Sequence, residues 1–481
     1  MEGAIGSGWR AWAGWIGAPL VFGALWLAPL PLEPGAHRLA AIFAAVLALW
    51  LTEAIPIAVT ALLIAPLLVV CGITTPGNAF KHYADPLLYL FVGGFFIAEA
   101  MSVHGLDRRI AKAIVAAPGV RGAPARVRVA LMVAGAVLSM WMANTAATAI
   151  LVPILLKLIG ARRGADRAAS GGVLALAYAC SAGGLGTLVG SPPNLITVRF
   201  LAGAGTNLGF LDWMKIGVPS ALVVGLAIWL VVSRLHPAGR DGAAAADAGA
   251  LFDDVPARWT RGEKVTAIAF ALAVAGWVGP GIPQALGHAS AAEVERLLHP
   301  GVVALVAASV LFFVPRGEGA ERVLSWRQAA GIDWGVILLF GGGIALGTQL
   351  VETGLAAAIS RGFVAMSGIA SLWTLTFVAC AFTIFFTEVC SNTASANMLV
   401  PLVIGIATEL DVSPVPPALA VGLAASCAFM LPIATGPNAI AFSTGRVTQL
   451  EMMRTGLALN VVATLLVFAC VRLFCPLLGW A

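Results

Sequence analysis

Charged residues are scarce in this chain of 481 residues: only 11% are Asp, Glu, Lys or Arg, whereas 60% are hydrophobic. An ordinary soluble domain carries about 25% charged residues. Because so few charged groups cannot cover a water-facing surface, the composition excludes a soluble enzyme, a disordered protein and a nucleic-acid-binding protein as the main interpretation. Lys and Arg in cytoplasmic loops explain the net charge of +5 more simply than a polyanionic partner does.

Signatures of catalysis are also missing from the sequence. It contains no Gly-x-x-x-x-Gly-Lys-Ser/Thr phosphate-binding loop, which argues against a nucleotide-driven pump. The six His residues and seven Cys residues have no metal-ligand spacing, and no His/Asp/Ser cluster suggests a membrane-embedded enzyme. We therefore expect a protein that is not an enzyme, has no organic cofactor, and keeps its thiols free and buried.

The chain is rich in apolar runs of membrane-spanning length, since one helical span takes about 20 residues. Eleven such runs lie at about 13–30, 38–54, 57–73, 86–103, 170–200, 214–234, 264–280, 299–315, 334–352, 416–445 and 454–478. We interpret the first as a retained span and not as a cleavable signal peptide. Two further stretches, 129–160 and 370–408, are predicted to be re-entrant helical hairpins, because the first is too short for two crossings and too long for one.

The basic residues indicate how the chain is oriented in the membrane. With the N-terminus in the cytoplasm, about three quarters of the 28 Lys and Arg residues fall in cytoplasmic segments, as the positive-inside rule requires. The C-terminus then lies outside. The polar stretch 236–262 is predicted to be a cytoplasmic linker between two halves of the chain.

The two halves resemble each other in three blocks that occur in the same order. Asp85–Gly94 lines up with Asp333–Gly342, and Ala143–Pro153 lines up with Ser391–Pro401, both at an offset of 248 residues. The third pair is Ser191-Pro-Pro-Asn194 and Thr435-Gly-Pro-Asn438, at an offset of 244. An odd number of crossings separates the copies, so we expect an inverted repeat, which is typical of secondary transporters.

Each copy contains two predicted helix breaks. Asn144-Thr145 and Asn392-Thr393 are predicted N-caps of the returning hairpin helices, and Ser191-Pro192 and Thr435-Gly436-Pro437 are predicted to restart a broken span. Four helix N-termini that meet at one place would favour an anion without any Lys or Arg. Freed carbonyls, the amide oxygens of the two Asn residues and the hydroxyls of Ser139 and Thr387 would offer oxygen ligands to a small cation. Occupancy of such a shared site by each ion favours the other.

Three acidic residues lie in or beside apolar segments, where an ionisable group is a functional candidate by default. Glu388 is one helical turn before Asn392, and a carboxylate facing a bound anion would repel it. We therefore predict that Glu388 has a packing or cation-field role. Glu53 precedes Ile55-Pro56 and is predicted to be a bend residue, whereas Glu99 stays an open candidate.

Five motifs resemble the divalent anion:sodium symporter family, the sodium-coupled carriers of dicarboxylates, citrate and sulfate. They are Trp50-Leu-Thr-Glu-Ala-Ile-Pro56, Met140-Trp-Met-Ala-Asn-Thr145, Gly190-Ser-Pro-Pro-Asn194, Thr387-Glu-Val-Cys-Ser-Asn-Thr393 and Leu431-Pro-Ile-Ala-Thr-Gly-Pro-Asn438. The resemblance covers essentially the whole chain. It implies an all-α polytopic membrane protein with about 11 transmembrane helices, two re-entrant hairpins in an inverted repeat, a homodimer and an elevator-type mechanism.

The resemblance also implies the binding residues. Substrate carboxylates would bind to Asn144, Thr145, Ser191, Ser391, Asn392, Thr393, Thr435 and Pro437. One sodium ion would use Ser139, Ala143, Asn144 and Gly190, and a second would use Thr387, Cys390, Asn392 and Ala434, several through backbone carbonyls. The sequence departs from the family pattern at Ala143, where the family has Ser, so the first sodium site could be weakened or the ion stoichiometry altered.

The implied domains are scaffold spans at 1–128, the first hairpin with spans 5 and 6 of a transport domain at 129–235, the linker at 236–262, scaffold spans at 263–360, and the second hairpin with spans 10 and 11 at 361–481. We expect a secondary active transporter of the bacterial inner membrane, surrounded by lipid, that imports succinate, malate or fumarate with sodium. The open alternatives are a sodium-independent dicarboxylate exchanger and a citrate or sulfate carrier. Two interrupted repeats argue against a channel with a continuous pore.

Overall fold

The computed structural model describes residues 8–117, 120, 124–159, 167–237, 252, 255–285, 294, 297–317 and 321–481. In these residues all regular structure is helical, apart from one isolated β-bridge between Pro315 and Arg322. Most of the predicted linker, and with it any test of that prediction, lies outside the described residues. Within them, six helices are long and apolar enough to cross a membrane. The prediction of an all-helical polytopic membrane protein is confirmed.

The helices of the first half are α1 (Trp9–Leu27), α2 (Pro34–Thr52), α3 (Ile57–Val70), α4 (Pro76–Phe80), α5 (Leu88–His104), α6 (Leu106–Val115), α7 (Pro124–Ser139), α8 (Asn144–Ile159), α9 (Arg167–Gly183), α10 (Pro192–Gly203) and α11 (Phe210–Leu235). A short 3₁₀ helix, Lys81–Ala84, joins α4 to the segment before α5. Proline at the first or second helical position starts several of these helices, including α2 and α10, because its missing N–H would have no intrahelical partner there.

The second half contains α12 (Arg261–Val278), α13 (Gly281–Ala285), α14 (Pro300–Phe313), α15 (Trp326–Ala329), α16 (Trp334–Glu352), α17 (Leu355–Ser367), α18 (Leu372–Phe386), α19 (Asn392–Glu409), α20 (Val415–Ala424), α21 (Gly436–Ser443) and α22 (Gln449–Leu477). Capping boxes begin α12 at Thr260 and α22 at Thr448, where the cap hydroxyl and the Glu three residues later bond each other's backbone N–H.

Each of the two stretches that did not fit a simple span forms two helices around a short break. In the first hairpin, α7 ends at Ser139 and α8 begins at Asn144. In the second, α18 ends at Phe386 and α19 begins at Asn392. Both breaks lie where the repeated motifs occur, so the helix–turn–helix form that the sequence predicts is present in both halves.

Two amphipathic helices were not predicted. Each follows a glycine in the left-handed region, α6 after Gly105 at φ 72° and α17 after Gly354 at φ 78°. A left-handed residue reverses the chain direction at little cost only when it is glycine. The pattern of buried Leu106, Ala111 and Val115 between charged residues was the available sequence signal for α6.

The hairpins and the broken helices of the two halves interlock. The first hairpin helix packs on the first part of the broken helix in its own half, α7 on α9 and α18 on α20. The second hairpin helix packs on the broken helices of both halves, α8 on α9 and α21, and α19 on α20 and α10. The contacts with the other half bring the breaks of both halves together.

Glycine pairs at equivalent places allow close helix contacts. A Cβ on Gly93 of α5 would collide with the backbone and side chain of Ala304 in α14, and a Cβ on Gly342 of α16 would collide with the backbone of Ala61 in α3. Small residues of this kind let membrane helices approach closely. These contacts join α5 to α14 and α16 to α3, which are two of the most extensively packed helix pairs among those described.

Candidate functional site

The four breaks surround one cavity of about 510 Å³. It is lined by the starts of α8, α10, α19 and α21, through the segments 142–146, 189–192, 391–393 and 433–437. Each helix start directs backbone N–H groups that have no intrahelical partner, and the positive end of its dipole, toward its N-terminal side. Among the described residues, no Lys, Arg or His lines this cavity.

The cavity brings together all eight residues that the sequence assigns to substrate. They are Asn144, Thr145, Ser191, Ser391, Asn392, Thr393, Thr435 and Pro437. Contacts between the halves fix their relative positions: a Cβ on Gly436 would collide with the Thr145 side chain, and the hydroxyls of Ser191 and Ser426 lie 2.7 Å apart.

The two broken helices restart where the sequence predicts. Ser191 is the N-cap of α10, and Thr435 is the N-cap of α21 with its hydroxyl accepting a hydrogen bond from Asn438 N at 3.2 Å. In each helix a proline stands at the first or second position.

The prediction that Asn144 and Asn392 are N-caps is wrong. Asn392 is the first residue of α19, with Ser391 as the N-cap, and Asn144 is likewise the first residue of α8. Their side chains point back to the preceding helix, because the Ser139 hydroxyl donates to Asn144 Oδ1 at 2.5 Å and the Thr387 hydroxyl donates to Asn392 Oδ1 at 2.9 Å. The two bonds are equivalent in the repeat.

The residues of the first predicted sodium site form a compact group of oxygen atoms. Ser139 Oγ and Asn144 Oδ1 are in contact, and a Cβ built on Gly190 would lie 2.7 Å from Gly184 O and 3.0 Å from Ser139 O. Gly190 therefore lets two carbonyl oxygens approach its backbone closely. Hard oxygen ligands gathered in this way suit a small cation.

The second predicted sodium site has the same character. Thr387 Oγ1 lies 2.9 Å from both Asn392 Oδ1 and Ala425 O, so one hydroxyl hydrogen faces two acceptors. Cys390 and Ala434 are both buried. Ala434 lines the cavity, whereas Ser139, Thr387 and Cys390 do not. Elsewhere in the described chain, no group of three His, Cys, Asp or Glu residues could hold a metal ion.

Glu388 lies near the site but does not line the cavity. Its carboxylate is 3% exposed and accepts hydrogen bonds from Phe429 N, Met430 N and Leu431 N at 2.7, 2.8 and 3.0 Å. Asn460 Nδ2 adds a fourth at 2.8 Å. These bonds hold the segment before α21 in place. They support the predicted packing role of Glu388.

Three acidic residues also line the cavity, a feature that sequence reasoning identified only in part. Glu53, Glu99 and Asp333 line it. Glu53 is the left-handed C-cap of α2 at φ 49°, which agrees with its predicted role as a bend residue. Asp333 is the N-cap of α16 and accepts from Gly335 N at 3.0 Å.

Trp141, at the tip of the first hairpin, makes aromatic contacts that the sequence did not predict. Its ring lies 5.3 Å from Phe270 and 6.4 Å from Trp277, both on α12. Val389 holds the equivalent position in the second hairpin and is 45% exposed. The two hairpin tips therefore have different surroundings in this conformation.

The sequence matches the family described as "Sodium:sulfate symporter transmembrane region" over residues 10–481. The chain belongs to this family of sodium:sulfate symporters. The resemblance to the divalent anion:sodium symporters is thereby confirmed, as is the expectation that the protein is a transporter and not an enzyme. Membership also makes it an integral membrane protein and indicates sodium as a coupling ion.

Relatives of this symporter match it over most of their length. A transporter of uncharacterised function from Haemophilus influenzae is 35% identical over 452 residues, which are 91% of this chain and 92% of that protein. The sodium-dependent dicarboxylate transporter SdcS of Staphylococcus saprophyticus is 32% identical over 451 residues, 89% of this chain and 84% of SdcS. In fold, the chain is similar to the Alcanivorax borkumensis YdaH transporter, with a TM-score of 0.59 at 16% identity over 87% of this chain and 97% of that one.

Proposed function

We propose that this symporter imports a small dicarboxylate of the succinate, malate or fumarate type together with sodium, by alternating access. The observation that carries the proposal is the cavity itself, in which four helix N-termini converge and no basic side chain of the described residues lines the wall. Helix starts favour a carboxylate at each end of such a ligand. The similarity to the sodium-dependent dicarboxylate transporter SdcS favours a dicarboxylate over sulfate or citrate.

The substrate would bind between the two hairpin tips. Asn144, Thr145 and Ser191 would hold one carboxylate, and Ser391, Asn392, Thr393, Thr435 and Pro437 would surround the other. Backbone N–H groups and hydroxyls can donate to both carboxylates without a full positive charge. The remaining attraction would come from sodium bound behind the wall, so that each ion raises the affinity for the other.

The two sodium sites would be those of Ser139, Ala143, Asn144 and Gly190, and of Thr387, Cys390, Asn392 and Ala434. The hydrogen bonds from Ser139 to Asn144 at 2.5 Å and from Thr387 to Asn392 at 2.9 Å support these two sites, because each brings two candidate oxygen ligands together. The membrane potential would add about 2.3 kcal/mol per charge per 100 mV to the driving force.

The architecture we propose for this mechanism has eleven spans, counting α9 with α10 and α20 with α21 as two broken spans. The hairpins, the broken spans and the spans α11 and α22 that follow them (129–235 and 361–481) would form the transport domain, and the other spans (1–128 and 263–360) the scaffold. The interlocked packing of α8 on α21 and α19 on α10 supports one transport unit. The N-terminus would be cytoplasmic, the C-terminus outside, and the protein a homodimer working by an elevator-like movement.

Ala143 supports a second candidate, a sodium-independent dicarboxylate exchanger. Ala143 lines the cavity beside Asn144 and offers a carbonyl but no hydroxyl. A first sodium site with one oxygen fewer would bind sodium weakly or not at all.

Uptake of labelled succinate into proteoliposomes tests both candidates. An inward sodium gradient should stimulate uptake over a potassium gradient, and Asn144→Leu and Asn392→Leu should each abolish it. Counterflow from preloaded succinate without sodium stimulation would favour the exchanger. Retained uptake in both Asn variants would refute the site, and competition by sulfate, citrate and fumarate ranks the substrates.

A further inference from the structure

One asparagine in each half of the chain spans the break in its broken helix. Asn194 Nδ2 donates to Gly184 O at 2.8 Å and to Thr187 O at 2.7 Å. Asn438 Nδ2 donates to Ala428 O at 3.1 Å and to Leu431 O at 3.0 Å. In both cases the two carbonyls lie ten and seven residues before the asparagine, and both side chains are 0% exposed.

We call this arrangement an amide bridge: one side-chain NH₂ group that joins two carbonyls across a helix break. Backbone carbonyls in a break between two helices have no helical donors, and at membrane depth water is not available to replace them. The NH₂ group has two hydrogens, so one asparagine can serve two carbonyls. The non-helical segments 184–191 and 425–435 are therefore each tied to the helix that follows them.

These segments carry parts of the proposed binding site. The first contains Gly190 and Ser191, and the second contains Ala434 and Thr435, all of which line the cavity. Thr187 connects the first segment to the hairpin tip as well, since its hydroxyl donates to Met140 O and accepts from Gly190 N. A shift of either segment would move a helix start and a sodium-ligand candidate together.

We propose that Asn194 and Asn438 are positioning residues, whose amide bridges hold the two segments in the geometry that binds sodium and substrate. This proposal rests on the proposed function. It differs from the common use of Asn to join two membrane helices, because both donors of each side chain go to the segment immediately before its own helix. The Oδ1 atoms of both residues are buried and have no hydrogen-bond partner within the described part of the chain, so the bridging depends on the NH₂ group alone.

Asn→Asp removes one or both of these donors with almost no change of shape, because a protonated Asp donates one hydrogen bond and an ionised Asp only accepts. Burial among carbonyl oxygens keeps the new carboxyl protonated at neutral pH. Asn194→Asp and Asn438→Asp should therefore lose one of the two bonds at neutral pH, and both bonds at alkaline pH once the carboxyl ionises. Asn397→Asp is the matched control, because Asn397 is also buried, donates to Leu339 O at 3.1 Å and has an unpartnered Oδ1, yet lies outside the breaks.

Hydrogen exchange of the full-length protein in lipid nanodiscs reads out the bridges without using transport. We expect exchange to become about tenfold faster in 184–190 for Asn194→Asp and in 428–435 for Asn438→Asp, each without effect on the other segment. Asn397→Asp should change neither. Unchanged exchange in both segments would overturn the proposal, whatever the transport measurements give.

Transport then separates positioning from general loss of fold. In proteoliposomes the variants should raise the half-saturating sodium and succinate concentrations by about tenfold, and the change relative to the wild type should grow at alkaline pH, where the carboxyl ionises. Wild-type kinetic constants at neutral pH in both variants would contradict the proposal. If the wild type itself shows no sodium-coupled succinate uptake, the proposed function fails while the exchange measurement still decides the amide bridges. Should one variant not fold, the other decides, because the bridges are independent.

Discussion

Arg199 Nε donates to Asp85 Oδ2 at 2.5 Å and so joins α10 to the residues that precede α5. Asp85 is 8% exposed and also accepts from Leu87 N at 3.0 Å. The repeat gives Asp85 an equivalent, Asp333, but the position equivalent to Arg199 is Ser443, whose hydroxyl bonds to Ile440 O. The first repeat therefore has an ion pair that the second repeat cannot form, because Ser443 carries no charge.

If α10 moves against α5 during transport, this ion pair must break. We expect Asp85→Asn and Arg199→Ser to destabilise the conformation described here, each by about 1–3 kcal/mol, because each leaves a partly buried partner unpaired. The double variant should cost no more than either single one. Melting temperatures in detergent and the rate of succinate counterflow measure this coupling, and additive effects of the two substitutions would argue against it.

Ala143 is where the chain departs from its family, and the substitution Ala143→Ser restores the missing hydroxyl. Ala143 precedes Asn144, whose Oδ1 is already within 2.5 Å of Ser139 Oγ. One more oxygen at this place should bind sodium more tightly, and we expect the half-saturating sodium concentration for succinate uptake to fall severalfold. Ala204→Ser, the same change in an exposed loop, serves as the control. Unchanged sodium activation in Ala143→Ser would mean that the first site does not use this position.

Sequence reasoning located the site because the site repeats. Asn144 and Asn392 stand in blocks of matching sequence, and such a match is visible without coordinates. The roles of these side chains were harder to foresee. Capping propensity assigned them to helix N-caps, but Ser139 and Thr387, five residues earlier, offer hydroxyl donors that turn the amides away from the helix start. The capping propensity of a residue does not take into account a hydrogen-bond partner on the other side of a helix break.

The contacts between the halves had no sequence signal. Tyr178 OH donates to Phe429 O at 2.7 Å, and Ser191 contacts Ser426, across sequence separations of 251 and 235 residues. Such pairs depend on how the breaks of the two halves meet in space, which neither periodicity nor spacing encodes. The helices α6 and α17 were missed for a different reason, since they are short, amphipathic and placed between apolar runs that dominate a search for spans.

Glu388 accepts four hydrogen bonds, which suggests a test of its packing role. In Glu388→Gln the NH₂ group replaces one acceptor and faces backbone N–H donors, so at least one buried group loses its partner. We expect a loss of about 1–3 kcal/mol in the free energy of unfolding and less folded protein, with little change in the succinate KM of what remains. Thermal unfolding in detergent and uptake by reconstituted protein measure the two quantities.

Glu99→Gln supplies the comparison for Glu388→Gln. The Glu99 side chain lines the open cavity, so its replacement should leave the melting temperature unchanged. A large rise in succinate KM for Glu388→Gln at normal stability would instead assign Glu388 to the binding of substrate or sodium.

Asp107, in the first turn of α6, makes the stability of the protein depend on pH. Its side chain is 1% exposed, and burial raises its pKa from 3.8 to about 6, against the lowering effect of a hydrogen bond from Arg108 N at 2.6 Å. Because the folded-state pKa lies above the unfolded one, the carboxyl destabilises the fold once it ionises. The contribution of Asp107 to the free energy of unfolding should therefore be most favourable below about pH 4. It should decrease between about pH 4 and 6, and stay constant above about pH 6.

Asp107→Asn removes this titration and keeps an oxygen for the Arg108 N–H. A pKa difference of about two units corresponds to about 3 kcal/mol at most, so the variant should be more stable than the wild type at pH 7 and about equally stable at pH 4. Melting temperatures recorded from pH 4 to 8 measure the difference. Asp411→Asn, at an exposed turn after α19, is the control for the change of side chain. A stability difference between Asp107→Asn and the wild type that does not change from pH 4 to pH 7 would show that the Asp107 carboxyl does not titrate in this range.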